Sequence, residues 1–522
     1  MMEVWGERAG NNVSFWERTA KKFRSSPLGN DLACDVCVVG GGIAGVTTAY
    51  LAAREGRDVV LIDDGPIGGG MTGRTTAHLV NAIDDGYYDV EKFLGEECAR
   101  LHAESHTAAI GKAEEIVNAC KIDCDWERLD GYLFLPPGGS VKDVTDELDA
   151  IHRVGLTSVE RVDKVPNTKI KSDAVLKYPR QGQFHPLKYL GGVAQAIIDL
   201  GGKIFTGTRV VNVKDGDRVT IETSDGHKVS AQAAVVTTNC PINDRLVIHS
   251  KQAPYATYVI CLRVTKEIPH TLFWDVAQSA AEEQKIIGPT AYHYVRFARD
   301  MEGDVLMVGG EDHKSGQASD WEQRFAKLER WTRERFPYVG EIADRWSGQV
   351  MEPVDGVAYI GRNPGDKNVY VSTGDSGNGI THGTIAGMLI TDLIAGRENP
   401  WAKLYDPSRK TLQPQVIADY IAENANVAAT FRDYVTGGDE PSADKIEKGE
   451  GALLRDGARK IAAYRDDQGT VHKFSAVCPH LGCIVHWDGC EKTWDCPCHG
   501  SRFDALGRVL NGPAISDLKR AE

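Results

Sequence analysis

Residues 34–63 read CDVCVVGGGIAGVTTAYLAAREGRDVVLID, and this stretch decides the fold. Val36 to Val39 is short and wholly apolar, as a strand covered on both faces of a parallel sheet must be. Ala44 to Arg54 reads as a helix and Asp58 to Ile62 as a second strand. Between the first strand and the helix stand Gly40, Gly42 and Gly45 in GxGxxG spacing. The first glycine makes a tight turn, the second lets the backbone approach a pyrophosphate, and the third lets helix and strand pack closely. The phosphate then sits at the positive end of the helix, beside Ile43 and Ala44. Asp63, followed by Asp64, ends the second strand, where a carboxylate accepts hydrogen bonds from ribose hydroxyls. Glycine spacing alone is a weak signal. Strand, helix, second strand and terminal acid together predict an α/β, Rossmann-like dinucleotide domain.

The segments that follow favour FAD over NAD. GPIGGGMTGRTTAHL, residues 65–79, is rich in glycine and threonine and offers Thr72, Gly73, Arg74 and Thr75 alongside a long cofactor. Far downstream, residues 369–396 read VYVSTGDSGNGITHGTIAGMLITDLIAG. A strand meets Gly374, Gly377, Asn378 and Gly379, and a helix follows through Ile380 and Thr381. Its positive end suits a flavin pyrimidine, where charge builds on reduction. The pairs Gly191/Gly192 and Gly201/Gly202 flank a helix without the full motif, so no separate NAD(P)H domain is expected.

Five of the twelve cysteines fall between residues 478 and 498. SAVCPHLGC (475–483) and WDCPCHGSRF (494–503) give CxH and CxxH, with a cysteine left over in each loop. A Rieske [2Fe–2S] centre needs two thiolates on one iron and two imidazoles on the other. Cys478 and Cys496 supply the first pair, His480 and His499 the second. A Cys2His2 zinc site is the competing reading. The spacing, the extra cysteines and the closing GSRFD favour the cluster. Cys34 and Cys37 form a CxxC, but Cys37 lies in a buried strand and reads as packing. Cys490 reads as a free thiol.

The glycine motif and STGDSGNGIT resemble the D-amino-acid oxidase/glycine oxidase group of flavoproteins. DGPIGGGMTGRTTAHL is similar to the γ-glutamylputrescine oxidoreductase-like members, and DGVAYIGR (355–362) to the segment before their last flavin strand. The resemblance covers roughly residues 12–410. It implies FAD and oxidation of a C–N bond by hydride transfer. It implies FAD-binding parts near 31–90, 180–250 and 345–410, and β-rich substrate-binding parts near 91–179 and 251–344. It puts Gly40, Gly42, Gly45 and Asp63 on the ADP half, and Gly377, Gly379 and Thr381 near the isoalloxazine. Some relatives attach FAD covalently through a histidine near the position of His78; a hydrogen-bonding role is the other reading. The cysteine loops resemble the high-potential Rieske proteins of respiratory bc complexes. That resemblance implies a Cys483–Cys498 disulfide, a Ser501 hydroxyl at a cluster sulfide, and Phe503 where those proteins carry a tyrosine.

Around these motifs the chain divides into an arm (1–30) pinned by Phe15 and Trp16, the oxidoreductase part (31–410), a helical linker (411–440) and an all-β Rieske domain (441–522). Residues 91–120 have helical periodicity and few breakers. A net charge of −14 disfavours nucleic acid, and no run of about twenty apolar residues suggests a membrane span, so the expected location is cytoplasmic. Tyr292, Tyr294 and Arg296 share one strand face by the period of two. Arg296 is the candidate clamp for a substrate carboxylate, against a packing role for all three. Glu311, Asp312 and His313 read as solvated loop residues at the pocket edge. The expected reaction takes an amine or amino acid as substrate and passes electrons through FAD and the cluster to an external one-electron acceptor protein or O2. Reversed flow from a donor into FAD and a non-enzymatic redox sensor are the alternatives; a Rieske oxygenase lacks its second iron site.

Overall fold

The computed structural model describes residues 10–243, 247–276 and 292–521. The first part of the expected arm and residues 277–291 of the expected substrate part lie outside them. The strands Leu32–Val39, Val59–Ile62 and Lys203–Phe205 run parallel, and Lys228–Val236 and Val369–Thr373 continue the sheet on the other side. Tyr359–Arg362 closes that edge antiparallel. The helices Ile43–Arg54 and Gly379–Ile394 pack together against this sheet, and the core beneath them includes Val36, Val38, Val59, Leu61 and Ile385.

The second layer is a nine-stranded, mostly antiparallel sheet that includes Gln252–Val264, Tyr294–Asp300, Gly303–Lys314 and Val339–Pro353. Glu311, Asp312 and His313 are thus strand residues, not the expected loop. The helical stretch after residue 86 is two helices, Tyr87–Leu94 and Glu96–Cys120, broken at Gly95 with φ +91°. Gly191 and Gly192 lie inside the helix Pro186–Asp199 rather than beside it; a Cβ on Gly192 would come within 2.6 Å of Ile122, so this glycine permits a close helix contact. The arm forms a short helix, Phe15–Thr19, capped by Ser14, with Phe15 and Trp16 fully buried.

The helix Pro414–Thr430 crosses to the last domain. Its Glu423 accepts hydrogen bonds from Tyr255 (3.1 Å) and Lys314 (2.5 Å), which fix it to the nine-stranded sheet. Beyond it stand a three-stranded sheet, Glu450–Ser475, and a four-stranded sheet, His486–Asn511. Among the described residues, no helix is long and apolar enough to cross a membrane.

Candidate functional site: a cofactor cavity backed by two cysteine–histidine loops

A cavity of about 1600 Å³ runs between the two large sheets. That exceeds the usual range of a single small-ligand site, about 300–1,000 Å³, and leaves room for a long cofactor with a substrate. Gly40 turns at φ +108°, and a Cβ there would strike the Thr237 carbonyl at 2.6 Å. Gly42 caps the Ile43–Arg54 helix; the Ile43 N–H meets the Thr72 hydroxyl at 3.1 Å, and the helix end borders the cavity, where its dipole favours an anion. A Cβ on Gly45 would lie 1.9 Å from the Gly40 carbonyl, so this glycine serves packing and stays off the cavity wall.

The Asp63 carboxylate accepts from the backbone N–H groups of Gly41 (2.6 Å) and Gly65 (2.7 Å). Burial and neighbouring Asp64 push it up to about 7 despite those bonds. Ile43, Ala44, Asp64, Thr72, Thr75, Gly377, Asn378, Gly379 and Ile380 also border the cavity. Gly73, Gly374 and Thr381 do not. The Thr381 hydroxyl bridges the N–H and carbonyl of Val80, which ties the Gly379–Ile394 helix to its neighbour. His78 borders the cavity with its ring nitrogens near Thr76 and the Val295 carbonyl, and burial lowers it to about 3. Asp63→Ala removes two charge-assisted acceptors. It should weaken FAD binding by roughly 1.5–3 kcal/mol, or about ten- to a hundredfold. Equilibrium dialysis of the deflavinated protein measures this, and unchanged retention would remove Asp63 from the FAD site.

Two expectations about arginine are corrected. Arg296 does not face the cavity. Its guanidinium donates to the carbonyls of Thr76, Ala77, Phe184 and Phe297 and stacks on Trp16. Four carbonyls take up the fork that a substrate carboxylate would need. Arg74 borders the cavity, but its guanidinium pairs with Glu491 of the C-terminal domain at 2.5 Å and donates to the Ser347 and Asn12 carbonyls. It joins domains rather than holding a cofactor.

Tyr292 and Tyr294 do border the cavity. Tyr292 donates to Asp84 at 2.5 Å, and Tyr294 shares a 2.5 Å hydrogen bond with Thr257. Around them the wall is acidic: Asp84, Asp85, Asp312, Glu352 and Asp375. Burial drives each of them upward, Asp84, Asp312 and Asp375 to about 6, Asp85 to about 7, and Glu352 well above its usual range. The sequence reading missed this group. Its one local sign was the adjacent pair Asp84–Asp85; Glu352 and Asp375 arrive from distant segments.

The two cysteine loops are near copies of each other. The N–H of Cys478 meets the Cys483 carbonyl (2.8 Å) and that of Gly482 returns to Cys478 (3.0 Å). Cys496 pairs with Ser501 (2.8 Å) and Gly500 with Cys496 (3.2 Å) in the same way. Gly482 and Gly500 both adopt positive φ, +86° and +83°. Cys483 and Cys498 form a disulfide between the loops. Cys478 and Cys496 stand side by side, and Cys496 together with the His480 N–H and the Ser501 hydroxyl lowers the Cys478 thiol despite burial. The rings of His480 and His499 lie 5.0 Å apart, and His499 Nδ1 is buried with no hydrogen-bond partner. Paired thiols, paired imidazoles and an orphaned ring nitrogen fit a two-thiolate, two-imidazole diiron centre.

These loops lie just behind the cavity wall. Thr237, Thr238 and Asn239 border the cavity, and the next residue, Cys240, donates from its thiol to the His499 carbonyl at 3.4 Å. His249 meets His480 and His499 edge-on at 5.0 and 5.8 Å between ring centres. Gln349 Nε2 donates to the Gly500 carbonyl (3.0 Å), and Tyr434 to the Gly482 carbonyl (2.6 Å). Arg508, Val509 and Asn511 extend the cavity wall from the C-terminal side.

Cavity and loops together define a flavoprotein with its own iron–sulfur domain. Residues 35–393 match the family described as FAD dependent oxidoreductase, and residues 441–522 match the Rieske [2Fe-2S] domain. The chain belongs to the FAD dependent oxidoreductase family, takes FAD, and carries a Rieske [2Fe–2S] domain at its C-terminal side. It is 30% identical to YhfW of Bacillus subtilis (strain 168), named as a Rieske 2Fe-2S iron-sulfur protein, over 98% of this chain and 97% of that one. It is 26% identical to gamma-glutamylputrescine oxidoreductase of Escherichia coli (strain K12), over 73% of this chain and 89% of that one. Glycine oxidase from Geobacillus kaustophilus shares the fold, with a TM-score of 0.59 at 17% identity, over 73% of this chain and 99% of that one.

Proposed function

We propose that the chain dehydrogenates an amine at a C–N bond and delivers the electrons singly to an external acceptor. FAD supplies the two-electron acceptance of a hydride, and the cluster supplies one-electron transfer. The substrate loses a hydride and a proton and leaves as an imine, which water hydrolyses. The observation that carries the electron route is the contact between Cys240, one residue beyond the cavity wall, and the His499 carbonyl.

The acidic wall supports an amine with a second, charged nitrogen. A buried ammonium needs compensating charge, and its arrival would favour the ionised form of carboxyls whose ionisation burial opposes. The relative named gamma-glutamylputrescine oxidoreductase supports an amine as well. With Arg296 committed elsewhere, a simple carboxylate substrate loses its candidate clamp.

Anaerobic bleaching of the flavin band against amines, diamines, D-amino acids and N-methyl amino acids tests this reading. Diamines should bleach it fastest. If none of the panel does while a reduced donor protein does, electrons run the other way. Asp84 is about 6 and Asp85 about 7, and only their ionised forms hold a cation. The kcat/KM for a diamine should therefore rise as pH climbs from 6 to 7. Asp84→Asn should raise KM by about ten- to a hundredfold, the equivalent of one charged hydrogen bond. A flat profile would exclude these carboxylates from substrate binding.

A further inference from the structure

Beside the cavity, which His382 borders, three histidines from two helices converge. His102 and His106 stand one turn apart on Glu96–Cys120, and His382 lies in the first turn of Gly379–Ile394. All three are buried, and the ligand-capable nitrogens lie within 4.8 Å of one another.

Hydrogen bonding sets the tautomers of two rings. His106 Nδ1 faces the Val80 carbonyl at 3.2 Å, and His382 Nδ1 faces the Asp375 carbonyl at 2.9 Å. A carbonyl only accepts, so each Nδ1 carries the proton. A neutral imidazole then has a bare lone pair at Nε2. The two Nε2 atoms face each other at 3.2 Å. Two lone pairs at that distance repel unless something positive lies between them. Moving a proton to either Nε2 would set a second lone pair against a carbonyl. A full charge on one ring would lie buried among the other two, which is costly.

His102 adds an independent sign. Both of its nitrogens are buried without a hydrogen-bond partner. Burying such a group with nothing to meet it is unfavourable. Its ring lies 4.5 Å from that of His106 and 5.7 Å from that of His382.

We infer that His102, His106 and His382 form a binding site for a borderline divalent metal ion, Zn²⁺ foremost, that bolts the two helices together. Zinc–imidazole bonds of about 2.0–2.1 Å in a tetrahedron put ligand nitrogens roughly 3.3 Å apart. The His106–His382 spacing already matches, and a ligand nitrogen of His102 lies within 4.8 Å of both. Donation of Nδ1–H to a backbone carbonyl is the usual outer support of a metal-bound imidazole. Neutral imidazoles favour zinc, copper or nickel over magnesium or calcium. The bolt would anchor the helix whose open end, at Asn378 and Gly379, borders the cofactor cavity, to the helix that follows the Asp84 segment.

The test uses the full chain with FAD and cluster in place, so that the cysteine loops are already filled. The protein is treated with dipicolinate, then titrated with ZnCl2 against a chromophoric chelator. Metal is counted per FAD, with iron counted separately. One tight zinc per FAD beyond the cluster iron is expected, together with a rise in melting temperature. Co²⁺ in its place should give the intense visible bands of a tetrahedral nitrogen site. If the unaltered protein takes up no stoichiometric zinc, the proposal fails whatever the variants do. In His102→Ala, affinity should fall by more than the roughly 10–100-fold that losing an outer-shell partner costs. The flavin spectrum and the cluster's EPR signal should stay unchanged. A full equivalent of equally tight zinc in both His102→Ala and His106→Ala would place the metal elsewhere and overturn the assignment.

Discussion

Replacing Cys478 with serine is expected to abolish the rhombic EPR signal of the cluster while the protein keeps its FAD. Cys478 is fully buried, and its thiol lies against Cys496 and Ser501. Serine preserves the loop, because the bonds that shape it run through backbone: the Cys478 N–H to Cys483 and the Gly482 N–H back to Cys478. The disulfide from Cys483 to Cys498 also survives. What is lost is a soft thiolate ligand, which iron–sulfur chemistry requires. None of the four proposed ligands borders the FAD cavity, so the yellow colour should remain. Amine should still bleach the flavin anaerobically, whereas turnover with a one-electron acceptor protein should fall at least tenfold. A persisting rhombic signal would show that another residue binds the iron. Undiminished turnover would show that electrons leave from FAD directly.

Glu491→Ala is expected to detach the iron–sulfur domain from the oxidase. Glu491 is fully buried and receives Arg74 at 2.5 Å, the Ser347 N–H at 2.7 Å and the Asn12 N–H at 3.0 Å. Burial alone would raise its carboxyl, but Arg74 and Arg502, with those N–H groups, hold it below the usual range. Removing it takes away the near carboxylate of Arg74 and leaves only Glu17, at 3.9 Å, as its ion partner at the domain boundary. Breaking a buried pair from one side costs about 3–5 kcal/mol. Denaturant unfolding should change from a joint transition to an earlier loss of the Rieske domain. Protease should cut sooner near residues 431–440. A profile matching the unaltered protein would show that the pair does not hold the domains. The sign with pH follows from the lowered carboxyl. Its contribution is complete above the ordinary glutamate range near 4.3 and is lost as pH falls through its folded value. Docking should therefore loosen in acid, before the body of either domain unfolds.

The parts legible in the sequence are those whose chemistry is local. GxGxxG, its strands and Asp63 lie within thirty residues, and each cysteine loop within six. Their geometry follows from spacing because backbone turns impose it. Arg296 shows where this stops. A period of two assigns it to the same strand face as Tyr292 and Tyr294, but does not reveal that Trp16 and the carbonyls of Thr76, Ala77 and Phe184 occupy the space opposite. Arg74 misled for the same reason, since its partner lies more than four hundred residues away. The acidic wall and the histidine trio are likewise built from separate segments, and no single window contains either.

The N-terminal arm meets the iron–sulfur domain at the same boundary. The Asn11 N–H bonds the Glu491 carbonyl at 2.9 Å, and the Asn12 side chain bonds the Cys490 carbonyl at 3.0 Å. Asn12 and Glu491 are 479 positions apart, so a ribosome makes one long before the other. The arm cannot take its final seat until nearly the whole polypeptide has emerged. The contacts of Asn11 and Asn12 with the iron–sulfur domain therefore form late in synthesis. A bulky group next to residue 11 would crowd the boundary with the iron–sulfur domain rather than open surface.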